Sequence, residues 1–155
     1  VDQYTKSERA AITRALNIIS ETRPEQGEAL TSPAITREVA MLEYARQADH
    51  TREHFMVAFL NAQHQRISVE VLFSGTIDGA AVYPREVAKR ALLLNAAAIV
   101  LIHNHPSGTT NPSAADRNIT QRITDGLRLL DIRVLDHLII TQYGDSYSFA
   151  EHGLI

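Results

Sequence analysis

Apolar residues recur along this chain with two different periods, and the places where the period changes mark its elements. Ile12, Ala15, Leu16 and Ile19 fall at helical spacing behind a Thr5/Glu8 capping box, which predicts a first helix near 6–21. A polar connector with Pro24 and Gly27 follows. Ser32-Pro33 then supplies an N-cap with proline at the first helical position, opening a second helix with Val39, Leu42 and Ala45 on one face. From about Glu53 the pattern turns to β-formers. The runs Phe55 to Leu60 and Ile67 to Phe73, split by a polar turn at 61–65, predict two antiparallel strands. After Gly75 and Gly79 a short extended piece, 81–83, meets Pro84, where the spacing of Val87, Ala91, Leu92 and Leu94 predicts a helix over 84–95.

The most apolar stretch, Ala96 to Ile102, reads as a strand buried on both faces, centred on 97–102. A Gly/Pro/Thr/Asn loop at 106–112, a helix from Ser113 to about Leu130, a strand at 133–141 and a short strand around Tyr147–Phe149 complete the chain. Helices between strands, with at least one hairpin, imply an α/β fold: a mixed β-sheet flanked by helices.

Composition narrows the function. The chain has 155 residues, 45% of them hydrophobic and 21% charged, as expected of a folded globular unit. It has no cysteine, which excludes disulfides, thiolate-ligated zinc and thiol nucleophiles. With 15 Lys+Arg against 18 Asp+Glu the net charge is −3, so nucleic acid is not the expected partner. The seven-residue apolar run falls well short of the ~20 residues of a membrane-spanning helix, and residues 1–6 lack the pattern of a signal peptide. The cytoplasm is the expected compartment.

The chemistry gathers around residues 103–116. His103 and His105, two apart at a strand end, share a face with Cβ atoms roughly 6–7 Å apart, close enough to converge on one ion. Pro106 ends the strand and Gly108 allows a tight turn, so the next helix opens beside the strand end and Asp116 becomes a third candidate ligand. Two imidazoles and one carboxylate, with a fourth position left to water, form the catalytic type of zinc site, which brings the pKa of its water towards ~7. A carboxylate must then take that water's proton. Glu53, at the head of a strand that can lie beside the His103 strand, is the candidate, with Glu70 and Glu86 as rivals. Ser113 could donate a hydrogen bond to a developing oxyanion.

His103-x-His105, then Ser113-x-x-Asp116, resembles the JAMM signature of MPN-type zinc metalloproteases. Pro84-Arg85-Glu86-Val87, Asn95-Ala96-Ala97-Ala98, His103-Asn104-His105-Pro106-Ser107-Gly108, Pro112-Ser113 and Asp136-His137 are similar to the RadC-like branch of that superfamily. The resemblance implies an MPN (JAMM)-like fold over 29–155, with 1–28 as an N-terminal helical extension and connector. It implies one Zn2+ per chain held by His103, His105 and Asp116, Glu53 as the water-activating base and Ser113 as the oxyanion donor. The expected activity is that of a zinc metallopeptidase or isopeptidase, in which zinc-bound water attacks a peptide or isopeptide carbonyl of a protein substrate. Longer RadC-like proteins carry a helix-hairpin-helix segment that is not read here. The first helix is a candidate surface for homo-oligomers.

Other readings compete. The same ion could serve a metal-dependent nuclease or a DNA-repair-associated protein, or the fold could be a non-catalytic binding module. Ser113-x-x-Asp116 is also a capping box that needs no metal. His50-Thr51-Arg52-Glu53-His54 matches the inverted zincin pattern H-x-x-E-H, but the pattern requires a continuous helix, and the second helix is expected to end near Asp49. Asp136 and His137, neighbours in a strand, point to opposite faces, which suits a core or supporting role for His137. His64 and His152 are expected in solvent, Arg85 in a helix-start ion pair, and Arg117, Arg122, Arg128 and Arg133 on a solvated face.

Overall fold

The apolar run at 96–102 supplies most of the middle strand of a five-stranded mixed sheet. The computed structural model describes residues 5–21, 29–30, 32–75 and 82–155. Its elements in chain order are α1 (Lys6–Glu21), α2 (Pro33–Ala45), β1 (Glu53–Leu60), β2 (Arg66–Gly75), α3 (Pro84–Leu93), β3 (Ala98–Asn104), α4 (Ala114–Arg128), β4 (Arg133–Ile140) and β5 (Ser146–Ser148). The strands lie in the order β2-β1-β3-β4-β5. β3 and β4 are parallel with α4 as their crossover, and every other pairing is antiparallel.

Both faces of the sheet are covered, which is why β1 and β3 read as unbroken apolar runs rather than alternating ones. Phe55, Val57, Phe59, Ile99 and Leu101 pack under α3 and α4, against Val87, Ala91, Ile119, Ile123 and Leu127. Met56, Ala58, Leu60, Val100, Ile102 and Leu138 pack on the other face, under Val39, Ala40 and Tyr44 of α2. The fold is thus the expected MPN-like arrangement, a mixed sheet flanked by helices with an additional N-terminal helix.

Most boundaries agree with the sequence reading to within two residues, and the departures have local causes. α3 ends at Leu93 because Asn95 adopts a positive φ of 52°. β3 runs on to Asn104, carrying His103 inside the strand. The buried stripe of α2 is Thr36, Val39, Ala40 and Tyr44, not Val39, Leu42 and Ala45; steps of three alone drift around a helix, whereas mixed steps of three and four hold one face. Val82 and Tyr83 are not in a strand, and Ala81 lies outside the described residues. The Thr5/Glu8 capping box forms as read, with Thr5 N–H donating to Glu8 at 2.7 Å and Glu8 N–H to Thr5 at 3.3 Å. Ile12 and Ala15 of α1 are exposed, while the side chains of Leu16 and Ile19, and the 28/29 boundary, lie outside what is described.

One irregularity decides which side chains of β4 face α4. The β3–β4 register shifts between Ile99 and Val100: Ile99 pairs with Val134 but Val100 pairs with Asp136, leaving Leu135 as an extra residue. Such a bulge reverses the facing of every later side chain in the strand. Beyond it, His137 shares the α4 side of the sheet with Leu101 and His103, and Asp136 faces away.

Ile123 is fully buried and anchors α4 to the sheet. Ile123→Ala should therefore cost about 2–5 kcal/mol in a urea unfolding titration. A change well under 1 kcal/mol would show that α4 is held by something other than this core.

Candidate metal centre

The site lies where β3 ends and α4 begins, at the carboxyl end of a parallel strand pair, the usual place for ligands in open α/β sheets. His103 is completely buried and His105 nearly so. The ladder persists to His105, whose N–H donates to the carbonyl of Ile140 at 2.9 Å, before Pro106 ends it. The chain turns through Gly108, whose φ of 81° suits glycine and whose absent side chain leaves room for the Tyr143 ring; a Cβ there would sit 2.8 Å from that ring. The loop then brings the Thr109 carbonyl 2.7 Å from His105 Nδ1. A carbonyl can only accept, so Nδ1 carries a proton and a neutral His105 presents a bare Nε2.

Asp116 enters from the first turn of α4. Its Oδ2 accepts from the Ser113 N–H at 2.6 Å, while Ser113 Oγ accepts from the Asp116 N–H at 3.0 Å. The capping box and the metal reading are therefore compatible, because the box orients the carboxylate instead of consuming it. Capping uses a lone pair of Ser113 Oγ and leaves its hydroxyl proton to donate elsewhere.

Asp116 Oδ1 lies 3.5 Å from His103 Nε2 and Oδ2 lies 3.3 Å from His105 Nε2. One donor atom from each of the three residues falls within 4.8 Å of the others. His103 Nε2 is buried with no hydrogen-bond partner among the described residues. Three electron-pair donors thus converge in a space nearly closed to water. A cation between them, a proton or a metal ion, is what such a donor set accommodates, and two imidazoles with one carboxylate suit zinc chemistry.

Supporting contacts surround the group. His137 Nε2 lies 3.3 Å from His103 Nδ1, and His137 Nδ1 lies 2.6 Å from Thr120 Oγ1. The His137 ring stacks on Phe149 at 4.7 Å and meets Phe55 edge-on at 5.8 Å. Asn104, between the two histidines, reaches across to β1: its Oδ1 accepts from the His54 N–H at 2.7 Å and its Nδ2 donates to the Arg52 carbonyl at 2.9 Å. Those two peptide groups flank Glu53.

Of the three glutamates, Glu53 is the one whose charge reaches His105. It is half-buried, two residues from Phe55, which pairs with His103. Glu70 is held on β2, the edge strand, by Arg90 at 2.6 and 2.8 Å. Glu86 lies exposed at the start of α3 beside Arg85, 3.5 Å away, with Arg85 also over the Tyr83 ring at 5.2 Å.

The H-x-x-E-H pattern does not assemble. α2 ends at Ala45, His50 lies in a turn with Nε2 3.1 Å from the Tyr44 carbonyl, and His54 lies in β1 with its ring nitrogens engaged by Ser74 Oγ and the Asp49 carbonyl. His152 is exposed as expected, stacking on Tyr147 at 4.0 Å, whereas His64 is half-buried and accepts from Arg133 at 2.9 Å. Arg117, Arg122, Arg128 and Arg133 are exposed as read. Sequence reasoning does not single out Asn104 or Thr120. The spacing of Thr120 one turn after Asp116, and the position of Asn104 between two candidate ligands, are the signals that point to them.

Electrostatics follow from burial and proximity. Burial would raise the pKa of Asp116, but the facing His105, the nearby His103 and the Ser113 contacts outweigh it and hold the carboxylate well below its usual range. Burial, reinforced by His137, depresses His103 strongly. Burial would also depress His105, yet Asp116, the Thr109 carbonyl and Glu53 together raise it. Burial pushes His137 down to about 4 from its ordinary 6.5.

An imidazole whose folded pKa lies below its unfolded one is protonated first in the unfolded chain, so its contribution is lost as pH falls. For metal-stripped protein, His137 should make urea stability decline between pH 6.5 and about 4, by up to about 1.4 kcal/mol per pH unit. The slope should be shallower in His137→Gln; equal slopes would contradict the assignment.

Comparison with known proteins gives the family. The family model described as the RadC-like JAB domain matches residues 14–154. The chain is 51% identical over 151 residues to the UPF0758 protein YeeS of Escherichia coli, covering 97% of this chain and 99% of that protein. It is 50% identical over 144 residues to YfjY of the same organism, covering 93% and 88%. Against the UPF0758 protein VP0184 of Vibrio parahaemolyticus the identity is 50% over 147 residues, 95% of this chain but only 63% of that longer protein.

Proposed function

The chain belongs to the RadC-like JAB domain family, and on that footing we propose that it is a zinc-dependent hydrolase of peptide or isopeptide bonds. The observation carrying this reading is the buried convergence of His103 Nε2, His105 Nε2 and the Asp116 carboxylate, with His103 Nε2 making no hydrogen bond among the described residues. These three residues would hold the ion. A divalent cation in such a setting supplies Lewis acidity, which acidifies water and polarises a carbonyl.

The protein's own groups do the rest. Glu53, held in place by β1 and by Asn104 on either side of its peptide, accepts the proton that water gives up as it attacks, and returns it to the departing nitrogen. The exposed Ser113 hydroxyl, whose proton is not used by the cap, donates to the carbonyl oxygen as negative charge grows there. Asp116, fixed by the capping box, would complete the donor set with the two histidines. A peptide or protein chain is the partner this chemistry calls for.

Purified protein should contain about one zinc by elemental analysis, and His105→Ala or Asp116→Ala should abolish it; full occupancy in both variants would overturn the site. Glu53→Gln should retain the metal yet lose roughly 10²–10⁴-fold in turnover, measured on substrates found in a peptide-library screen. Metal-dependent cleavage of DNA, abolished by His103→Ala and unaccompanied by any peptide cleavage, would assign the site to phosphodiester chemistry instead. No helix among the described residues is long and apolar enough to cross a membrane.

A further inference from the structure

We propose that His137 is a positioning residue: together with Thr120 it sets which nitrogen of His103 carries the proton, leaving His103 Nε2 bare and aimed at Asp116. The inference rests on the reading that His103, His105 and Asp116 hold an ion, and adds a residue to that site. Thr120 Oγ1 lies 2.6 Å from the Asp116 carbonyl one turn back in α4, the usual acceptor for a helical threonine hydroxyl. A carbonyl cannot donate, so the single hydroxyl proton goes there. Thr120 Oγ1 must then accept from His137 Nδ1–H at 2.6 Å. The proton on Nδ1 leaves His137 Nε2 bare, and that nitrogen accepts from His103 Nδ1–H at 3.3 Å.

The chain of protons closes on itself. It begins at the main-chain oxygen of Asp116 and ends at a His103 lone pair facing the Asp116 side chain, 3.5 Å away. Running the protons the other way would place an N–H at His103 Nε2, where no acceptor among the described residues has hydrogen-bond geometry. Buried donors left that way are disfavoured. Histidine ligands are commonly oriented by a hydrogen bond at their second nitrogen; here the partner is another imidazole rather than a carboxylate or a peptide oxygen.

Two features of the fold deliver His137 to this position. The bulge at Leu135 turns it to the site face. Asp136, on the opposite face, accepts from the N–H groups of His137 at 2.7 Å and Ala150 at 2.9 Å and from Ser148 Oγ at 2.6 Å, pinning the irregular strand. The Asp136-His137 dipeptide thus divides its labour between anchoring the backbone and orienting a ring.

The test uses the full chain. Long-range proton–nitrogen NMR of the metal-free protein at pH 8 should show His103 and His137 both as Nδ1–H tautomers; Nε2–H on His103 would overturn the proposal whether or not the protein is an enzyme. Zinc competition titrations should show a dissociation constant raised about 10–100-fold in His137→Leu and in Thr120→Val, with His137→Gln, which keeps an acceptor oxygen, recovering much of the loss. Wild-type affinity in a folded His137→Leu would also overturn it. Failure of the wild-type protein to bind zinc, with the tautomers as stated, would reject the ion reading and leave the proton arrangement standing; if a variant does not fold, the wild-type spectrum alone decides.

Discussion

Two imidazole nitrogens and a carboxylate held with their electron pairs towards one another, in a space nearly closed to water, repel unless positive charge lies between them. That constraint organises the structure around residues 103–116. The Thr109 carbonyl fixes the protonated nitrogen of His105, the capping hydrogen bonds fix the carboxylate, and burial, with the rings of Phe55 and His137 beside His103, keeps water from relieving the repulsion. A structural capping box would need none of this burial. The convergence is what separates a helix start from a candidate metal centre.

The fold meets the constraint with ordinary means. A two-residue period sends His103 and His105 to one face; a proline and a glycine turn the chain back; a helix start presents Asp116 at its first turn. α4 is then held by Ile119, Ile123 and Leu127, the same apolar stripe that extends Asp116 and Thr120 along the helix. Core packing and site geometry are therefore one problem, because the helix that seals the sheet carries one candidate ligand and the support for another.

Much of this is legible in the chain. The buried middle strand, the hairpin, the crossover helix, the convergence of His103, His105 and Asp116, and the face-splitting of Asp136 and His137 all follow from short-range rules. The H-x-x-E-H alternative can be set aside on the same basis, since one of its histidines lies in a strand. What short-range rules do not reach is register. The extra residue at Leu135 is invisible in an apolar pattern, yet it alone brings His137 beside His103. The partners of Asn104 lie some 50 residues upstream, so nothing local announces them. The stripe of α2 departs from its expected place for a different reason: Val39, Leu42 and Ala45 step by three alone and drift off the buried face, which Thr36, Val39, Ala40 and Tyr44 hold.

The Asn104 clamp has a consequence for how this architecture tolerates change. The backbone at Glu53 takes its bearing from a side chain on the central strand, through peptide groups and not through the identity of its neighbours. Amide-to-backbone bonding is blind to what residues 52 and 54 carry, and the turn at 46–52 only has to deliver the chain to the strand. Changes within that turn would thus reshape what approaches the centre while the spacing between Glu53 and the two histidines stays fixed.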